Sequence, residues 1–244
     1  MKENSQLSYK QMALLSIIIL ALTGCSSMSS SANDENEKRL TKTAKINAEL
    51  GIAYLEKHNI QRAKQKLLLA INQGPNIPEP WYSMGYFMES TGETKAANDY
   101  YLKAIAIAPK RGDAQNNYGT FLCRQGQYQE SIKHFDLATS DPDYLTPADA
   151  YENAGLCALK MPNTKLAIKY FDQSIQRDPA RPVALLKLAE IYYKEGKYDF
   201  AKESLEQYTL ITTPSQYAKE LQEKIETKII HTAQLDDEYG SSSS

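Results

Sequence analysis

The sequence predicts an all-α solenoid of stacked helix pairs, and three observations carry that expectation. A small residue recurs at Gly51, Gly85, Gly119, Gly155 and Ala189, spaced 34, 34, 36 and 34 residues apart. Glycines at Gly92, Gly126 and Gly196 hold the same period and suit turns between helices, where a left-handed backbone ends a helix at no steric cost. Prolines at Pro75, Pro109, Pro142, Pro179 and Pro214 follow each second helix, because proline lacks an N–H and clashes with the preceding turn.

A period near 34 residues is that of tetratricopeptide repeats, each a pair of antiparallel helices. About five helix pairs plus a C-terminal capping helix are expected, wound as a right-handed superhelix. The positions within a repeat have physical roles. Ala63, Ala97, Ser131, Ala167 and Ala201 face the small residue of the first helix and allow close helix crossing. A third small position is Ala70, Ala104, Ala138 and Ser174, broken by Tyr208 in the last repeat. Tyr54, Trp81, Tyr101, Phe135, Tyr151, Phe171, Tyr192 and Leu205 are the expected bulky plugs. His58 and Pro162 stand at the turn where the other repeats have glycine.

The elements follow in order. Lys2 and Lys10 precede an apolar run from Met12 to Leu22, too short for a permanent span but suited to a signal peptide over residues 1–24. Residues 25–43 are serine-rich, then charged, and read as a flexible tether. The repeats are expected at 44–77, 78–111, 112–145, 148–181 and 182–215, with two extra residues, Thr146 and Pro147, after the third. Leu221, Ile225 and Ile229 share one face of a capping helix over 216–230, which closes the apolar end of the stack. Residues 232–244, acidic and then serine-rich from Asp236, read as a disordered tail.

Composition narrows the function classes. With 28 Lys and Arg against 30 Asp and Glu, a net charge of −2 and no basic run give nucleic acid no footing. The chain carries no HExxH, CxxC, Walker loop or GxSxG, and its three histidines lie at no metal spacing; His134 reads as a helix-surface residue. No enzyme, cofactor, metal or small-molecule substrate is expected; a protein-binding scaffold is the default for stacked helix pairs.

First helices line the concave face of such a stack. By repeat register that face holds Tyr82, Tyr86, Asn116, Asn117, Thr120, Glu152, Asn153, Leu156, Lys187 and Glu190. Asn117 and Asn153 share one repeat position, and amides there offer a donor and an acceptor to an extended peptide; the other reading is that they cap turns or face water. Lys187 is nearly the only cation there, which disfavours recognition of a free carboxylate terminus. Cys123 and Cys157 lie on the first helices of adjacent repeats, about one turn past the small glycine. Adjacent first helices pack side by side, so a disulfide within reach of about 5.5 Å between Cα atoms is expected, with two buried thiols as the alternative.

Leu22-Thr23-Gly24-Cys25, after the basic start and apolar run, resembles a bacterial lipobox. The resemblance implies that Cys25 is lipidated and heads the mature chain; an ordinary signal peptide cleaved nearby is the alternative. Ser26, where an Asp would imply inner-membrane retention, implies the outer membrane by analogy with lipoprotein sorting.

The central block, Asn116-Asn117-Tyr118-Gly119-Thr120-Phe121-Leu122-Cys123, Gly126-Gln127-Tyr128, Pro142-Asp143-Tyr144, Pro147 and Tyr151-Glu152-Asn153-Ala154-Gly155-Leu156-Cys157, resembles the PilF/PilW family of type IV pilus biogenesis lipoproteins, the pilotins. The resemblance covers about 44–213 plus the lipobox. It implies a periplasm-facing outer-membrane lipoprotein that assists localisation or assembly of a PilQ-type secretin, a secretin segment being the partner. The alternative is a general envelope scaffold for β-barrel assembly or recruitment of wall hydrolases. Family members carry nearly six repeats, whereas here the sixth is cut to one helix.

Overall fold

The computed structural model describes the backbone of residues 25–241 and the side chains of 34–234. The signal peptide expected over residues 1–24 lies outside the described residues. Eleven α-helices and no strand occur among the described residues: α1 Cys25–Glu56, α2 Ile60–Gln73, α3 Glu79–Ser90, α4 Thr94–Ile107, α5 Gly112–Arg124, α6 Tyr128–Thr139, α7 Pro147–Ala158, α8 Thr164–Arg177, α9 Pro182–Lys194, α10 Tyr198–Ile211 and α11 Gln216–Ser241. The all-α expectation of paired helices holds. The chain divides into two compact units, Met1–Phe87 and Met88–Ser244.

In the first unit α1 packs on α2. Ala44, Ala48 and Leu55 of α1 and Ala63, Leu67 and Ala70 of α2 are buried. A Cβ built on Gly51 would lie 2.6 Å from Leu67 Cγ, so glycine is what admits this approach. Leu67 is thus the plug of this repeat, whereas Tyr54, a plug expected from the sequence, is only half-buried. The α1–α2 turn runs through His58 at φ 56, the left-handed conformation that glycine supplies in other repeats. Asn59 then caps α2, its side chain accepting from the Arg62 N–H at 3.2 Å.

The stretch read as a tether is helical here, since α1 begins at Cys25. Residues 33–43 carry Glu, Lys, Arg and Leu without Gly or Pro, so nothing breaks the helix. Lys38 and Asp34 pair at 3.0 Å one turn apart and support it. The stretch read as a disordered tail is likewise continued by α11, out to Ser241.

In the second unit each pair packs on the next: α5 on α6, α7 on α8, α9 on α10, with α6 against α7, α8 against α9 and α10 against α11. First helices also touch directly, α5 with α7, α7 with α9, and α9 with α11. Tyr101, Phe135, Phe171 and Leu205 are the fully buried plugs of the second helices. Trp81 of the first unit and Tyr151 and Tyr192 of this one stay half-buried, because these first-helix aromatics reach their unit's surface. A Cβ on Gly155 would come within 2.6 Å of the Phe171 ring, and one on Gly119 within 3.0 Å of the Phe135 ring.

Two of the small second-helix positions are serines, and both are buried. Ser131 Oγ donates to the Gly119 carbonyl at 2.7 Å and Ser174 Oγ to the Ala148 carbonyl at 2.8 Å, so each buried hydroxyl is satisfied and ties its helix pair. Ala218, Leu221 and Ile225 of α11 close the end against Leu185, Ala189, Leu205 and Tyr208, as a capping helix should.

Candidate functional site

In the second unit the expected groove positions come from three adjacent first helices. Asn116, Asn117 and Thr120 stand on α5, Glu152, Asn153 and Leu156 on α7, and Lys187 and Glu190 on α9; all are half-buried. Tyr82, half-buried, and Tyr86, exposed, stand on α3 in the first unit.

The amides meet across the helices. Asn153 Nδ2 donates to Asn116 Oδ1 at 3.0 Å, bridging α7 to α5. Asn117 instead folds back, donating to the Asp113 carbonyl at 2.8 Å, and Thr120 Oγ1 donates to the Asn116 carbonyl at 2.8 Å. The Asn116–Asn153 pair keeps one N–H donor side and one carbonyl acceptor side for a ligand, the chemistry a peptide backbone requires.

The charged groove residues are engaged within the fold. Arg181, at the start of α9, grips Glu152 with Nη2–Oε1 at 2.7 Å and Nε–Oε2 at 3.3 Å, and Asp149 through Nη1 at 2.6 Å. Glu152 also accepts from the Ala184 N–H at 3.2 Å. Its role is therefore to join α7 to α9, which repeat register alone did not reveal because Arg181 lies in a loop. Lys187 Nζ sits 2.9 Å from both carboxylate oxygens of Glu190, so the groove's cation is already paired. Tyr217 of α11, absent from the sequence reading, has its phenol pushed up by burial and then by the charge and hydrogen bond of Glu190.

Cys123 and Cys157 come together, Cα to Cα 5.8 Å, with the sulfurs at bonding distance. Their registers differ. Cys157 is two residues past Gly155 and fully buried, whereas Cys123 is four past Gly119 and half-buried. The link therefore crosses from the flank of α5 into the core side of α7. The backbone of Cys25 opens α1.

His134 is a correction to the sequence reading. It is half-buried, its Nδ1 against Gln115 Oε1 and its ring edge-on to Tyr118 at 4.7 Å between centroids. Burial lowers its pKa; Glu130 acts the other way and Lys133 adds to the lowering. Gln115 in turn donates to the Pro109 carbonyl in the α4–α5 connection, so the cluster braces repeat packing. Among the described residues no group of three or more His, Cys, Asp or Glu could hold a metal ion, and no helix is long and apolar enough to cross a membrane.

Three tetratricopeptide-repeat family profiles match, over residues 78–111, 100–133 and 158–225. The chain is 28% identical over 186 residues to the type IV pilus assembly protein PilF of Pseudomonas aeruginosa, covering 76% of this chain and 74% of that one. It is 33% identical over 144 residues to an uncharacterised protein of Haemophilus influenzae, covering 59% and 79%. Among solved structures, that of Pseudomonas aeruginosa PilF superposes with a TM-score of 0.69 at 25% identity, over 82% of this chain and 94% of that one. That of PilW, titled a widely conserved type IV pilus biogenesis factor, gives 0.66 at 26% identity, over 81% and 94%. Helix pairs, register and sequence agree: the chain belongs to the tetratricopeptide-repeat proteins and is a homologue of PilF, structurally close to PilF and PilW.

Proposed function

We propose that this protein is a non-enzymatic scaffold for type IV pilus biogenesis, held at the outer membrane by lipid on Cys25 and facing the periplasm. There it assists localisation or assembly of a PilQ-type secretin by holding a segment of that channel on its first-helix face. The observation that supports this most is likeness to both pilus factors over 94% of each solved chain. The Asn116–Asn153 pair, with its remaining donor and acceptor, suits an extended segment. In this reading Cys123 and Cys157 form a disulfide, as export to an oxidising compartment allows. Several acyl chains on Cys25 anchor firmly, at about 0.8 kcal/mol per buried CH₂.

The test is deletion of the gene in its own organism, followed by counting pili and secretin multimers in outer-membrane fractions. Loss of both, restored by the intact gene, is the expected result. Unchanged pili and multimers, with β-barrel assembly or wall-hydrolase partners recovered instead, would transfer the protein to general envelope assembly. Cys25→Ala should move the protein from the membrane pellet to the periplasmic fraction.

A further inference from the structure

On the first-helix face of the second unit the charges cancel within the fold. Glu152 is held by Arg181 and the Ala184 N–H, Asp149 by Arg181, and Lys187 by Glu190. At the flanks Arg124 takes Glu89 at 2.5 Å and Arg111 takes Asp113 at 3.1 Å. Lys160, just past α7, and Lys194, at the end of α9, stand seven residues beyond Asn153 and Lys187, about 10 Å further along the helices. On α11, Glu220 accepts from Gln216 at 3.2 Å. A charged ligand lying across the middle of α5, α7 and α9 therefore meets no unengaged counter-charge among the described residues, and would have to break an existing pair.

What this face still offers is neutral, and it lies at two seams. Between α5 and α7, after the 3.0 Å bond that joins them, Asn116 keeps its N–H donors and Asn153 its carbonyl oxygen. These match the C=O and N–H groups of an extended backbone. Between α9 and α11 the surface is apolar. Val183, 42% exposed, and half-buried Leu186 stand on the stripe of α9 that continues to Glu190. The Tyr217 phenol hydrogen-bonds to Glu190, which lays a ring 50% exposed beside that stripe and fixes it before any partner arrives. Packed helices lie about 8–10 Å apart, so the two seams are about 16–20 Å apart, five or six residues of a strand rising about 3.3 Å each.

We infer that this face takes an uncharged, extended segment of about six residues from a protein partner, its backbone held by Asn116 and Asn153 and one apolar side chain laid on Leu186 and Tyr217. The inference rests on the scaffold reading above and gives the held segment a chemistry. Amide bonds to the backbone fix the segment's register, and the apolar end selects its side chain. Because no ion pair forms with the ligand, its affinity should hardly respond to salt.

The probe is a library of random dodecapeptides displayed on phage and selected on the full-length protein in detergent micelles. Enriched peptides are synthesised and their affinity is measured by fluorescence anisotropy. The expected enriched core is uncharged, about six residues long, and carries an apolar residue at one end. Its affinity should change less than threefold between about 50 and 500 mM NaCl. Asn153→Ala and Tyr217→Ser should each weaken binding at least tenfold with an unchanged thermal melt. N-methylation scanned through the core leaves every side chain in place and needs no protein variant; at least one position should weaken binding as much. No enrichment, a core rich in Asp, Glu, Lys or Arg, a larger response to salt, or indifference to N-methylation or to both substitutions would each overturn the inference. A secretin segment that binds this protein but is indifferent to Asn153→Ala and Tyr217→Ser would overturn it and leave the scaffold reading intact. Peptides that meet every criterion, with pili and secretin multimers unchanged by gene deletion, would keep this ligand chemistry and count against the pilus reading.

Discussion

Replacing Gly155 by alanine sets two effects of known size against each other. In a helix interior alanine is favoured over glycine by about 0.8–1 kcal/mol. Here the new methyl would lie 2.6 and 2.7 Å from two atoms of the Phe171 ring, which is wholly buried and cannot swing outward. Overpacking of that kind costs about 1–3 kcal/mol. The steric effect wins, and Gly155→Ala should destabilise by up to about 2 kcal/mol, a few degrees in Tm for a chain of this size. Gly119→Ala is the internal control: its nearest ring atom lies at 3.0 Å, so the two effects nearly cancel and the melt should barely move. Gly126→Ala meets nothing within 4 Å but must adopt φ +78, and should lose about 1 kcal/mol through backbone strain alone. Urea titrations followed by helical circular dichroism measure all three. If Gly155→Ala proved more stable than the parent by its full helical preference, the close-approach account of the repeat would be wrong.

Arg181→Ala leaves Glu152, a side chain only 13% exposed, without its bidentate partner, and should cost about 1–3 kcal/mol in urea titrations. Arg181→Lys should recover little, since one ammonium cannot reproduce the fork that reaches both Glu152 and Asp149. Cys123→Ser should lower stability by about 2–4 kcal/mol under non-reducing conditions and match the parent once both are reduced; an equal deficit after reduction would assign the loss to packing. His134 has its pKa lowered in the fold from the ordinary 6.5, chiefly by burial, so the folded chain resists a proton that the unfolded chain accepts. Stability should therefore fall as pH drops below about 6.5, and His134→Gln should flatten that slope in melts between pH 7 and 5. Glu130, whose pKa is lowered first by its hydrogen bond to Lys133, changes charge only below its ordinary 4.5 and leaves that window clear.

Much of the fold was legible because its constraints are local and periodic. Gly51, Gly119 and Gly155 each face a plug that a methyl would strike, and that requirement repeats at the period of the helix pair. Gly92, Gly126 and Gly196 all take positive φ, and His58 takes it in their stead in the first repeat. Leu67 was not legible as a plug: it stands 34 residues before Tyr101, but a leucine is there in place of the aromatic of the three repeats that follow. The site was less legible. Register placed Asn116 and Asn153 on one face, but one residue of offset decided that Asn116, and not Asn117, meets Asn153. Glu152 read as groove-facing because its partner, Arg181, is reached only after the chain passes through α8 and returns. His134 read as surface because Tyr118 and Gln115, which cover it, belong to the neighbouring helix.

In the second unit helices touch adjacent or next-but-one helices, and α5 reaches no further than α7. The unit is therefore modular. Cutting the chain after α8 would strip contacts from α7 and α8 but take none from α5 or α6. Whole pairs can be added or lost at the far end without rewiring the rest, so homologues can differ in length and still share the segment in which Asn116 meets Asn153.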